Sequence, residues 1–416
     1  SDLDIDLERH DVLLCALPAI YESTHLEQKS RPKEMSYFDY VVSEIHGLRV
    51  KELVDHKANG GKVFGTFCVY VPEEIVIAAG GICVGLCGGA EISIGSAEAI
   101  LPPNTCPLIK ASLGFLLERI CPYFQVADLI VGETTCDGKK KAWEIFEEYA
   151  PMYVMELPQR KGKHDKELWL SELQAFRDKV EEITGNKVTP DNLAQAITLI
   201  DERRNALQRL FDLRKADPAP ISGLDALVVL QLSFFDDPLR ATNQVNTLCD
   251  ELESRVKQGV GAAPKGTPRI LVAGSPMAIP NWKIHSIIES IGAIIVCEES
   301  CTGTRSLTGS TPVDGNGMDA QLKAIADRQF RTNCACFTPN DERVDDILRL
   351  CKEYNVDGVI HYALQFCQPF CMEAIKIQKA LDKAGIPMLR LETDYSDGDS
   401  GQIKTRVEAF LEMIGQ

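Results

Sequence analysis

The chain has 416 residues, 45% apolar and 25% charged, with a formal net charge of −17. At ~100–200 residues per domain that length makes two or three domains, and the acidic balance speaks against a nucleic-acid or anionic-membrane surface. No apolar run reaches the ~20 residues that cross a bilayer, and the opening SDLDIDLERHDVLLCALPAI is acidic where a secretory signal is basic, so a cytoplasmic protein is expected.

Residues 1–60 read as a helical amino-terminal segment, with apolar positions at helical spacing through EMSYFDYVVSEIHGLRVKELVDH. A first α/β lobe is expected over 61–158, with strands in GKVFGTFCVY, ICVGLC, ADLIVGET and APMYVMELP. Helices lie between them in VPEEIVIAAG, CPLIKASLGFLLERI and KKKAWEIFEEY; Pro72 and the glutamates after it suit a first helical turn. Residues 159–222 change character and form a connector of two long charged helices, the second capped by Thr189 with Pro190 in its first turn. Over 223–416 the alternation returns, with strands in TPRILVAGSP, AIIVCEES, NVDGVIHYAL and GIPMLRLETD. Strands alternating with helices imply parallel sheets. The expected fold is α/β, two similar doubly wound parallel-sheet lobes with a helical amino-terminal segment and a helical connector.

Fifteen cysteines, an odd number with no export signal, point away from disulfides and towards ligands. About half should simply pack as small apolar side chains. Open parallel sheets bind ligands beyond the carboxyl ends of their strands, where the following helices also begin. Cys87 ends a strand, Cys136, Cys301 and Cys367 follow strands, Cys106 opens a helix, and Cys334 and Cys336 precede one, so all seven fall at that edge. Cys371 lies one helical turn beyond Cys367 and can point to the same place. Cys121 is ~22 Å along its helix from Cys106 and belongs to the opposite edge. Cys83, Cys249, Cys297 and Cys351 read as core, and Cys15 and Cys68 are undecided.

Cys136 stands in VGETTCDGKKKAWE, where a strand stops and a helix starts; the helix dipole and Lys139 to Lys141 should favour its thiolate. The chain has no paired C-x₂-C knuckles of the zinc type. Dispersed cysteines that converge on a cleft suit an iron–sulfur cluster better. Glu299 and His361, towards strand ends, are candidate proton donors, with a hydrogen-bonded core histidine as the alternative for His361. Glu133 and Thr134 flank Cys136 as supporting hydrogen-bond groups. Neither G-x-x-x-x-G-K-[ST] nor G-x-G-x-x-G occurs, so no P-loop or dinucleotide fingerprint is visible.

LIVGETTCDGKKKAWE, TCPLIKASLG, CVGLCGG, LQFCQPFCMEA and GIPMLRLETDYSDGDSGQIKTRVEAFLE resemble the 2-hydroxyacyl-CoA dehydratase / benzoyl-CoA reductase family over roughly residues 60–416. VCEESCTGTR, NCACFTPN and the additional cysteines are similar to its branch of double-cubane cluster proteins. The resemblance implies an [8Fe-9S] double-cubane cluster held by six cysteines. These would be Cys87, Cys106, Cys136, Cys301, Cys367 and one of Cys334 or Cys336, with Cys371 as a further alternate. It also implies a homodimer and a separate homodimeric [4Fe-4S] ATPase that delivers low-potential electrons for reduction of a small substrate. Two alternatives stand beside it. One is a 2-hydroxyacyl-CoA dehydratase subunit with a single [4Fe-4S] cluster on Cys106, Cys136 and Cys367. The other is a non-catalytic electron carrier. Neither a membrane nor a nucleic-acid partner is implied.

Overall fold

The computed structural model describes residues 3–415. The amino-terminal segment is helical: α1 (Leu7–Tyr21) and the helices Met35–Ser43 and Leu48–Ala58 pack over the rest. The first sheet holds β1 (Val63–Thr66), β2 (Ile82–Gly85), β3 (Leu129–Glu133) and β4 (Met152–Met155), all parallel, in the order β2-β1-β3-β4. The second holds β5 (Arg269–Gly274), β6 (Ile294–Glu299), β7 (Gly358–Leu364) and β8 (Met388–Thr393), again all parallel, in the order β6-β5-β7-β8. The two orders are the same pattern. In each, the chain steps to one side of its first strand and then to the other, so each sheet has a crevice at the carboxyl ends of its first and third strands.

Between the sheets run the helices Lys163–Thr184 and Pro190–Leu213. Thr189 caps the second, its hydroxyl accepting the Asn192 N–H at 3.2 Å. Among the elements that the sequence patterns pass over is the helix Gly223–Leu232, GLDALVVLQL. Every residue of it is buried, so it shows no polar face and no helical alternation to read. Ser222 caps it, and the Glu289 carboxylate accepts the N–H groups of Gly223 at 2.6 Å and Leu224 at 3.3 Å.

The lobes share their core. One apolar cluster joins Phe64 and Val131 of the first sheet to Trp169 and Phe176 of the connecting helix and to Phe330, Phe337 and Phe370 of the second lobe. Charge ties the same three regions. Buried Glu74 meets Arg204 of the connector and Arg328 of the second lobe. Gly89 lies so close to Ala278 that a Cβ there would stand 2.1 Å from the Ala278 carbonyl oxygen. Only glycine permits that approach, which brings the loop after β2 against the loop after β5.

Candidate functional site

The carboxyl ends of the sheets carry cysteines at matching stations. Cys87 lies two residues past β2, and Cys301 two residues past β6. Cys136 lies three past β3 and Cys367 three past β7; each is the cap residue of the next helix, Asp137–Phe146 and Gln368–Ala384. Cys106 caps Pro107–Leu117, whereas Cys334 and Cys336 occupy the loop before Asp341–Glu353. Local sequence therefore sets where each sulfur leaves the backbone. The approach of the lobes decides which sulfurs meet.

Cys106 of the first lobe and Cys367 of the second are neighbours. The Cys367 thiol and the nearby N–H groups of Leu108 and Ile109 hold Cys106 below the ordinary thiol range in spite of burial. The same neighbour, together with burial, pushes Cys367 well up. The charge of Cys136 acts on Cys106, and that of Cys367 on Cys136, so these three form one group. A second pair lies in the second lobe. Cys336 is the neighbour of Cys334, and its thiol and the Arg305 charge draw Cys334 down to about 6 against its burial. Cys301 joins this pair, within electrostatic reach of Cys334 and with the Arg305 Nη2 donating to its Sγ at 3.8 Å.

Of two further members of the site, the sequence left one undecided and named the other only within a run of three lysines. Cys68 lies within electrostatic reach of Cys301 and Cys334. Its offset of two residues past β1 is the same as that of Cys87 and Cys301 past their strands, and that offset is the signal which finds it. The other is Lys139. Its ammonium turns inward, is 13% exposed, and sits 2.6 Å from Glu133 Oε1. There it acts on Cys68, Cys87, Cys136 and Cys301 together. Lys140 and Lys141 remain at the surface, paired with Asp137 and Glu144.

Cys136 accepts the Lys139 backbone N–H at 3.4 Å, the helix-start contact the sequence suggested. Burial nevertheless outweighs that contact and the Lys139 charge, and the Cys136 thiol is raised rather than lowered. Cys87 is pushed up to about 11 by burial, and its thiol donates to the Phe67 carbonyl at 3.4 Å.

Glu299 and His361, the candidate proton donors, sit in different environments. Glu299 is buried between Arg305 at 2.8 Å and Arg343 at 2.8 Å, which hold its carboxyl below the usual range against its burial. His361 is buried in β7 with no hydrogen-bond partner on its Nε2, and burial, with Arg343 nearby, pushes it down to about 3. It stays neutral. Cys371 is half-buried and raised to about 11 by burial and Glu392. Cys121, Cys249, Cys297 and Cys351 are buried, Cys83 is half-buried, and Cys15 is exposed on α1.

Among the described residues, no three His, Cys, Asp or Glu side chains converge tightly enough to hold a single metal ion. A cluster makes a different demand, because its cysteines ligate different irons. The donors gathered here are all sulfur, the soft ligands that iron–sulfur clusters take. Lys139 and Arg305 stand among them to offset thiolate charge. The residues fit such a group.

The family model described as 2-hydroxyglutaryl-CoA dehydratase, D-component, matches residues 68–414. A protein of Escherichia coli K12 named "Putative dehydratase subunit YjiM" is 37% identical over 365 residues, 87% of this chain and 94% of that one. The (R)-phenyllactyl-CoA dehydratase beta subunit of Clostridium sporogenes is 26% identical over 372 residues, 88% of this chain and 95% of its own. The (R)-2-hydroxyglutaryl-CoA dehydratase subunit beta of Acidaminococcus fermentans is 27% identical over 376 residues, 87% and 95% of the two chains. The family match takes in the second sheet, β2 to β4 of the first and every sulfur of the site, and the chain belongs to the 2-hydroxyglutaryl-CoA dehydratase D-component family.

Proposed function

We propose that the chain is the iron–sulfur component of a two-part reductase. In this reading Cys87, Cys106, Cys136, Cys301, Cys336 and Cys367 hold an [8Fe-9S] double-cubane cluster, with Cys334 and Cys371 as alternates and Cys68 beside them. A homodimer of the chain receives low-potential electrons from a separate homodimeric [4Fe-4S] ATPase, and a small molecule is reduced at the sulfur-lined crevice. The observation that carries the reading is the gathering of sulfurs from both lobes around Lys139 and Arg305.

When bound, the cluster would supply storage for low-potential electrons. The chain's own residues supply the rest. Cysteines from both lobes anchor it, so the lobes must stay docked. Lys139 and Arg305 counter the thiolate charge, which is costly to bury unpaired. The Lys139 N–H points at the Cys136 sulfur, a contact that tunes cluster potential. Glu299 serves as a fixed anion that orients Arg305 and Arg343.

A second reading is favoured by the grouping of Cys106, Cys136 and Cys367 and by the names of the relatives. It is a dehydratase subunit with one [4Fe-4S] cluster. Iron and acid-labile sulfide per chain in anaerobically purified protein separate the two. About eight irons support the double cubane; about four favour the dehydratase and sink the six-cysteine assignment. Under the first reading Cys301→Ser lowers iron by about half, while Cys121→Ser leaves it unchanged. Reduction that depends on ATP and the activator eliminates the passive carrier.

A further inference from the structure

A cavity of about 470 Å³ lies where α1, the loop after β2 and the loop after β5 meet. Leu13, Leu14, Leu17 and Ile20 of α1 form one wall. Gly85, Leu86 and Cys87 form the second, and Ile279, Pro280 and Trp282 the third. Cys87 therefore faces two ways, towards the other sulfurs and towards this chamber. Tyr395 also lines it. It lies within electrostatic reach of Cys87, Cys106 and Cys367. Its hydroxyl is buried without a hydrogen-bond partner, an omission that a native interior rarely leaves uncompensated.

The polar residues of the chamber decide what can enter. Among the described residues, Lys283 is the one lysine or arginine on its wall. All three of its N–H donors are already used, by Thr393 at 2.7 Å, the Ser396 carbonyl at 2.6 Å and Asp399 at 2.7 Å. Trp282 donates to Gln231 at 2.8 Å, and Asn281 to the Tyr362 hydroxyl at 2.9 Å. His46 is held neutral by burial, at about 3. Glu91 and Asp397 are exposed lining residues and set a negative mouth. A coenzyme A thioester brings phosphates that need free cations, and none is on offer. The other cavity near the sulfurs, about 190 Å³ beside Cys68, is narrower, and its Arg203 and Arg204 are paired with Glu73 and Glu74.

We propose that the chamber under α1 is the substrate site and that it selects a compact, uncharged, largely apolar molecule of one or two rings rather than a coenzyme A thioester. A cavity of ~150 Å³ already holds benzene, and apolar chambers of ~300–1,000 Å³ are the usual small-molecule sites. The proposal rests on the reading of Cys87 as a cluster ligand, which puts one wall of the chamber at the reducing centre.

Binding tests it without turnover. 4-Fluorobenzyl alcohol is titrated into the full chain, purified anaerobically with whatever iron it carries, and followed by its ¹⁹F signal; coenzyme A is the counter-probe. Saturable binding near or below ~1 mM is expected, with no displacement by coenzyme A. Ala90→Trp on one wall and Ser286→Trp on another should each weaken the alcohol at least tenfold, with circular dichroism confirming that each variant is folded. Absence of saturable binding, displacement by coenzyme A, or indifference to both tryptophans overturns the proposal. Iron content is read in the same sample. Binding with little iron sinks the cluster reading and leaves the chamber standing; the expected iron with no binding does the reverse.

Discussion

The two lobes share a strand order and two cysteine stations, yet they balance buried charge differently. In the first, Glu133 at the end of β3 has one cation, Lys139, and burial still pushes its carboxyl up. In the second, Glu299 at the end of β6 has two, Arg305 and Arg343, and its carboxyl is held down. The side chains explain the contrast. A guanidinium fork serves several partners at once, so Arg305 also donates to the Gly274 carbonyl at 2.6 Å and to Cys301 at 3.8 Å. An ammonium is a point charge and is shared among whatever surrounds it. The second lobe is a cross-braced electrostatic frame; the first hangs on one residue.

That difference can be broken most directly at Lys139. Lys139→Met leaves Glu133 buried without its cation and should cost about 3–5 kcal/mol in chemical denaturation. Arg343→Met leaves Arg305 on Glu299 and should cost less, about 1–3 kcal/mol. Lys140→Met, at the surface, should stay within about 1 kcal/mol. Equal losses at Lys139 and Arg343 would erase the contrast between the lobes.

What holds the lobes together can be sharpened with acid. Arg328 and Arg204 outweigh the burial of Glu74 and bring it from 4.5 to about 2. Because the folded value lies below the unfolded one, its stabilisation is full above pH 4.5 and drains away as pH falls from 4.5 towards 2. The contribution is on the order of 3 kcal/mol. Unfolding free energy measured across that window should fall more steeply for the native chain than for Glu74→Gln; parallel curves would remove Glu74 from the account.

Gly89→Ala forces a methyl against the Ala278 carbonyl and should cost about 1–3 kcal/mol. Gly95→Ala, where nothing lies within 4 Å of the new Cβ, is its control. Thermal unfolding of the pair separates lobe docking from a general intolerance of alanine. Small effects are expected at the packed thiols. Cys121→Ala and Cys351→Ala should lose about 1 kcal/mol each and no iron. Loss of iron from either would return that residue to the site.

The eight strands, the parallel order and the edge position of Cys87, Cys106, Cys136, Cys301, Cys334, Cys336 and Cys367 were legible in the sequence. Strand period, turn residues and the place of a cysteine just past a strand are local properties. The helix Gly223–Leu232 was not legible, since burial on all sides removes the alternation that marks a helix. Nor were the environments of Glu299 and His361, because Arg343 reaches Glu299 across 44 residues of chain. Only the docking of the lobes set Cys106 against Cys367, added Cys68 to the site and opened the chamber beneath α1. Which sulfurs lie at the edge follows from the chain read locally. Which of them meet, and what charge surrounds them, follows from packing between segments far apart in sequence, where burial and long-range ion pairs outweigh local preference.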